Sequence, residues 1–155
     1  NLSEKFGKYI GEYNGKEYYA FPTPEELNKA TQEEIRACQT GFRDKYIKST
    51  TASVVENKDD VCEYTNLSTD ECLKQLLKFN GVGPKVGDCI ALFGMRKYDT
   101  FPVDVWVKRI MQEFYVTEDM SLPKIRSYAI DKFGDLSGFA QQYLFYYARE
   151  LGIGR

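Results

Sequence analysis

A chain of 155 residues with 43% apolar side chains is long enough for one compact domain and too short for two comfortable ones, so residues 1–155 are expected to form a single domain. Histidine is absent, which removes Ser-His-Asp and Cys-His catalysis and most zinc hydrolase chemistry and leaves any chemistry to Lys, Asp, Glu, Tyr or Cys. The net charge of −2 disfavours a nucleic-acid partner only as a total, because the stretch 36–48 sets Arg36, Arg43, Lys45 and Lys48 against Asp44 alone.

In chain order, Tyr13-Asn14-Gly15-Lys16 carries the Asn-Gly pair of a tight turn and predicts one small β-hairpin near residues 13–20, the only strand pair expected. Thr23-Pro24-Glu25-Glu26 combines an N-cap, a proline at the first helical position and a capping-box Glu. Thr31-Gln32-Glu33-Glu34 and Ser68-Thr69-Asp70-Glu71 repeat that grammar. On charge alone, the basic stretch 36–48 reads as a solvated helix face. Cys72, Leu73, Leu76 and Leu77 form one apolar helical stripe, and Val86, Cys89, Ile90 and Phe93 a second, with Asn80-Gly81-Val82-Gly83-Pro84 between them. The pattern is helix, tight turn, helix. Val105 to Met111 has the 3.6-residue period of a buried helix, Ser121-Leu122-Pro123 opens another, and Gly134 closes it. In the last helix Leu136, Phe139, Ala140, Tyr143, Tyr147 and Leu151 fall on one stripe, expected to be the core contact, with Phe145 roughly opposite. The sum is an all-α bundle of short helices.

Four features carry chemistry. Gly81 and Gly83 flank Val82 and let the backbone turn sharply and approach a partner, while the next helix offers free N–H groups to a phosphate; the same corner also serves merely to join two packed helices. Lys85 stands in the first turn of that helix, where the positive end of the helix dipole disfavours an ammonium ion and an apolar site would add desolvation, making the amine a nucleophile. A solvent-facing lysine is the plain alternative. Asp104 falls at or just before a helix start, which suits an N-cap and equally an oriented, ionised carboxylate. Gln141 and Phe145, four residues apart, suit an amide that reads a base edge beside an aromatic that stacks on the base, or a second core contact. Cys38, Cys62, Cys72 and Cys89 are separated by 24, 10 and 17 residues, which fits neither a paired zinc site nor an iron–sulfur run, so they are expected to be reduced thiols with no metal. No apolar run of about eighteen residues and no secretory leader is present, so no membrane partner and an intracellular place are expected. Asn1 in place of Met suggests that the natural chain begins earlier.

Leu77-x-x-Asn80-Gly81-Val82-Gly83-Pro84-Lys85-Val86-Gly87-Asp88-Cys89 followed by Pro102-Val103-Asp104 resembles the helix-hairpin-helix DNA glycosylases with a Gly/Pro-rich loop and an Asp. Lys85 is similar to the lysine of the bifunctional members, which attacks the sugar C1′ and then permits strand cleavage, with the aspartate assisting. The endonuclease III branch carries four cluster-binding cysteines after that aspartate, whereas no cysteine follows Cys89 here. Gly138-Phe139-Ala140-Gln141-Gln142-Tyr143-Leu144-Phe145 resembles the segment of the 8-oxoguanine DNA glycosylase/AP lyase family that carries the base-reading glutamine and stacking phenylalanine. Cys89 matches the family cysteine on the other face of the base. Thr40-Gly41-Phe42-Arg43-Asp44-Lys45-Tyr46 resembles the segment whose aromatic wedges into the base stack and whose arginine contacts the orphaned cytosine. The resemblance thus implies catalytic Lys85 and Asp104, substrate contacts from Cys89, Gln141 and Phe145, and DNA contacts from Phe42, Arg43, Gly81, Val82 and Gly83. It further implies a monomer acting on double-stranded DNA with an oxidised guanine, no iron–sulfur cluster, and room for a monovalent cation at the hairpin backbone. The family's N-terminal β-rich domain has no counterpart in this sequence, and Trp106 stands where several relatives have a nearby His. A lysine-dependent glycosylase for another oxidised base, and a non-catalytic helix-hairpin-helix DNA-binding module, remain the alternatives.

Overall fold

Side-chain caps from Thr23, Thr31, Ser68 and Asp104 mark where four of the helices begin. The computed structural model describes residues 1–153, which divide into two compact units. The first comprises residues 1–61 with 79–81, and the second residues 62–78 and the chain from Val82 onward. Among the described residues no helix is long and apolar enough to cross a membrane.

The first unit runs α1 (Leu2–Phe6), β1 (Tyr9–Tyr13), β2 (Lys16–Tyr19), α2 (Pro24–Asn28), α3 (Gln32–Ile35) and α4 (Asp44–Asn57). The hairpin forms as predicted, although its first strand starts earlier, at Tyr9. Asn14 and Gly15 both take positive φ, 53° and 72°, the backbone of the tight turn that matches the twist of antiparallel strands. Tyr13 pairs with Lys16 and Gly11 with Tyr18, and a one-residue irregularity precedes the Tyr9–Tyr19 pair. Thr23 and Thr31 cap α2 and α3 as full capping boxes, with Glu26 and Glu34 each accepting the cap's own N–H at 2.8 Å. Leu27, Ala30 and Ile35 form the core, with Leu2, Phe6 and Ile47 packed on it.

The basic stretch 36–48 is not one solvated helix face. A π-helical turn over Arg36–Thr40 breaks at Gln39, whose φ is 64°, a 3₁₀ turn follows over Gly41–Arg43, and α4 begins only at Asp44. Two of the four cations are structural. Arg36 donates to the buried Asp44 carboxylate at 2.7 Å, beside Gln32 at 3.1 Å, and Lys48 donates to the Asn28 carbonyl at 2.6 Å. Burial pushes the Asp44 carboxyl up, but the bonds from Gln32 and Arg36 outweigh it and hold the group below its ordinary value.

The second unit holds α5 (Thr69–Leu76), α6 (Pro84–Gly94), α7 (Val105–Phe114), α8 (Leu122–Phe133) and α9 (Ser137–Glu150). Ser68 caps α5 in a third capping box, and Gly134 ends α8 with φ at 60°. Phe101, Val103, Val107, Met111, Ile125 and Ala129 make the core, onto which Phe133, Leu144 and Phe145 pack. The Phe101 and Phe133 rings stack at 6.0 Å. Lys97 donates to the carbonyls of Thr65 and Leu67, and Thr69 to Asp99 at 2.6 Å, tying the loops before α5 and after α6 together.

Two helix faces differ from the sequence expectation. On α6 the buried residues are Gly87, Asp88, Ala91 and Leu92, whereas Val86 and Phe93 are exposed and Cys89 and Ile90 half-buried. On α9 the buried positions are Ser137, Gly138, Gln141 and Ala148, whereas Leu136, Phe139, Tyr143, Tyr147 and Leu151 are exposed, Tyr143 by 76%. In both helices a glycine lies against a neighbouring segment, Gly87 on α6 against the Leu73 and Leu77 side chains and Gly138 on α9 against Leu92 and the Tyr98 carbonyl. Gly138 shows the reason: its N–H donates to the Tyr98 carbonyl at 2.8 Å, and a Cβ there would lie 2.4 Å from a Leu92 methyl. Close helix approach selects small side chains, and this outranks the apolar period.

Candidate active site

Lys85, Cys89 and Phe93 recur every four residues along α6 and so share one face of it. Asp104 is the N-cap of α7, its Oδ1 accepting the Val107 N–H at 2.9 Å. That bond presents the carboxylate as a fixed acceptor at a helix start, a position that favours negative charge. From α9 come Gln141, Gln142 and Phe145. These side chains, with Pro102 and Val107, line a single cleft of about 190 Å³. Five residues singled out from sequence, Lys85, Cys89, Asp104, Gln141 and Phe145, therefore meet at one place.

Lys85 sits one residue after Pro84 in the first turn of α6, with Gly83 as N-cap. Its side chain is exposed, not enclosed in an apolar site. No ion pair of Lys85 occurs among the described residues, and the amine stands at the cleft wall unclaimed by a carboxylate. The helix that carries it is anchored by Asp88, fully buried and gripped by the Arg126 guanidinium of α8 through two bonds of 2.6 and 2.8 Å. Hydrogen bonding to Asp88 raises the Arg126 pKa, with burial opposing it. A two-bond fork of this kind fixes direction as well as distance, so α6 is held against α8 one turn beyond Lys85.

Gly81 has φ at 86°, and a Cβ there would sit 2.5 Å from the Tyr46 ring, so only glycine fits this turn. Val82 and Gly83 follow, half-buried, and the Gly87 N–H closes the first helical bond on the Gly83 carbonyl at 2.8 Å. Phe42 and Arg43 belong to the first unit. Phe42 is 66% exposed, and the Arg43 guanidinium lies 4.7 Å from its ring centroid, a cation–π pair that stiffens both.

Sequence reasoning missed Phe93, Gln142 and the Asp88–Arg126 pair. Phe93 was within reach, since it repeats the Lys85–Cys89 spacing. Gln142 was passed over because its neighbour carried the resemblance, and an ion pair between residues 38 apart in sequence has no local signature.

A helical unit with a Gly-x-Gly-Pro turn, a lysine just inside the next helix and an aspartate capping a third defines a class. The chain belongs to the HhH-GPD superfamily of base excision DNA repair proteins, whose family model matches residues 1–134. It is 32% identical to a probable N-glycosylase/DNA lyase of Methanothermobacter thermautotrophicus, over 91% of this chain and 51% of that protein. It is 31% identical to the N-glycosylase/DNA lyase of Saccharomyces cerevisiae, over 98% of this chain and 49% of that one. Among solved structures, the 8-oxoguanine glycosylase/lyase of Clostridium acetobutylicum, in complex with double-stranded DNA containing cytosine opposite 8-oxoguanine, superposes with a TM-score of 0.91 at 52% identity, covering 98% of this chain and 52% of that one. The chain spans about half the length of these relatives.

Proposed function

We propose that the protein is a bifunctional DNA glycosylase that excises 8-oxoguanine from duplex DNA and then nicks the strand at the abasic sugar, acting as a monomer on DNA inside the cell. The observation that carries this reading is the meeting of an unpaired lysine amine, an oriented carboxylate, a half-buried aromatic ring and a buried amide around one cleft.

In this reading a flipped nucleotide enters the cleft. The neutral Lys85 Nζ forms a bond to C1′ while the C1′–N9 bond breaks, its electron pair leaving with the base. Opening of the sugar ring then gives an imine between Nζ and C1′. The imine acidifies the C2′ hydrogen, and loss of that proton expels the 3′ phosphate. The Asp104 carboxylate offsets the positive charge that develops on the sugar as the base departs. Phe145 stacks on one face of the base and Cys89 lies against the other, while Gln141 hydrogen-bonds its Watson–Crick edge. The turn Gly81-Val82-Gly83 offers backbone N–H groups to a phosphate. Phe42 takes the place of the extruded base in the stack, and Arg43 contacts the orphaned cytosine.

The test is a panel of duplexes carrying 8-oxoguanine, other oxidised purines or oxidised pyrimidines, each opposite all four bases. Excision of 8-oxoguanine first, fastest opposite cytosine and followed by strand cleavage, is the expected result. Excision confined to pyrimidine lesions, or DNA binding with no excision, would overturn the reading.

A further inference from the structure

We infer that Gln142 sets the base selectivity of the cleft by fixing which way the neighbouring Gln141 amide faces. Both residues line the cleft, but they differ in kind. Gln141 is 6% exposed and Gln142 is exposed. Gln142 Nε2 donates to Gln141 Oε1 at 2.5 Å, and no hydrogen bond to the Gln141 nitrogen occurs among the described side chains.

A carboxamide is nearly symmetric in shape, so packing alone does not choose between its two orientations; the hydrogen-bond partners choose. Here the partner is a donor. It holds the Gln141 oxygen on its own side, spends one of that oxygen's two lone pairs, and leaves the Gln141 NH₂ free.

This polarity matters because the two purine families present opposite edges. A guanine-type base offers the acceptor O6 next to the donor N1–H, and an adenine-type base offers the donor amino group next to the acceptor N1. An amide that meets one edge through an N–H and an oxygen meets the other only after turning over. Oxidation at C8 leaves both edges unaltered, so recognition of the 8-oxo group does not make this choice. The inference rests on the proposed function and adds to it a positioning residue for selectivity between purines.

Three substitutions separate polarity from packing. Gln142→Lys keeps a donor and removes the acceptor, Gln142→Glu keeps an acceptor and removes the donor, and Gln142→Ala removes both. The readout is the ratio of single-turnover excision rates for 8-oxoguanine and 8-oxoadenine, both opposite cytosine. Altered DNA affinity or altered Lys85 reactivity enters both rates and cancels in the ratio. The wild-type ratio should favour 8-oxoguanine, Gln142→Lys should keep it within about threefold, Gln142→Ala should lower it, and Gln142→Glu should lower it at least about tenfold. Equal ratios in all four proteins, or equal losses in the Lys and Glu variants, would overturn the inference with the functional reading intact. A wild-type protein that excises neither base would overturn both.

Discussion

Phe145 has two duties that pull its substitution in different directions. Its ring lines the cleft, and it also packs on the core formed by Phe101, Val107 and Met111. The sequence stripe placed it away from the main core contact of α9, and on that basis its removal would leave the fold untouched; the observed packing changes that expectation. Phe145→Ala should abolish most excision, since base stacking on an aromatic contributes about 1–3 kcal/mol. It should also lower stability, by about 1–3 kcal/mol for a half-buried ring. Phe145→Leu keeps the core contact but not the flat face, and should recover most of the melting temperature with little of the excision. Recovery of both by Leu would mean that the ring is a core residue only.

Among the elements, the legible parts were those written in local chemistry. Thr23, Thr31 and Ser68 announce helix starts through a bond that closes within four residues, Asn14-Gly15 announces its turn through backbone freedom, and the structure carries each of them. The same holds for Asp104, whose side chain caps α7. What the sequence hid was which way α6 and α9 face. The apolar period was present in both, but the buried positions include Gly87, Ala91, Gly138 and Ala148, and small residues leave little mark in a hydrophobicity count. Lys85, Cys89, Gln141 and Phe145, singled out by resemblance and by spacing along the helix rather than by burial, line one cleft in spite of that difference.

The caps also set the response of these elements to acid. Bonds from Thr31 lower the Glu34 pKa, bonds from Ser68 lower that of Glu71, and the Lys108 ion pair lowers that of Asp119. Each has a folded-state value below its unfolded one, as Asp44 does. Their contribution to stability is therefore complete above the ordinary carboxylate values of about 4 and is lost as the pH falls through the depressed values of the folded state. Melting temperature should be nearly level from neutral pH down to about pH 5 and fall below that. Glu34→Gln and Glu71→Gln should each flatten the acid limb. A melting temperature that rises on acidification would contradict this account of the caps.

For the whole molecule, a net charge of −2 leaves the proposed contact with DNA to local cations rather than to the overall charge. Because Arg36 and Lys48 are engaged within the fold and Arg43 is assigned to the orphaned base, Lys45, Lys85 and the turn before it are left to meet phosphates. Affinity for duplex DNA should fall with salt at a slope of roughly −2 to −4 in log K against log salt; a flat dependence would remove the proposed docking groups. The most direct test of the central claim is borohydride trapping on duplex DNA containing 8-oxoguanine, comparing the wild type with Lys85→Gln. The substitution removes the amine from a helix N-terminus, so stability should hold or rise by a few tenths of a kcal/mol, and DNA binding should survive because backbone contacts dominate it. The trapped covalent complex should form with the wild type and vanish with Lys85→Gln, while Asp104→Asn traps slowly. Undiminished trapping by folded Lys85→Gln protein would contradict the assignment and place the nucleophile on another amine.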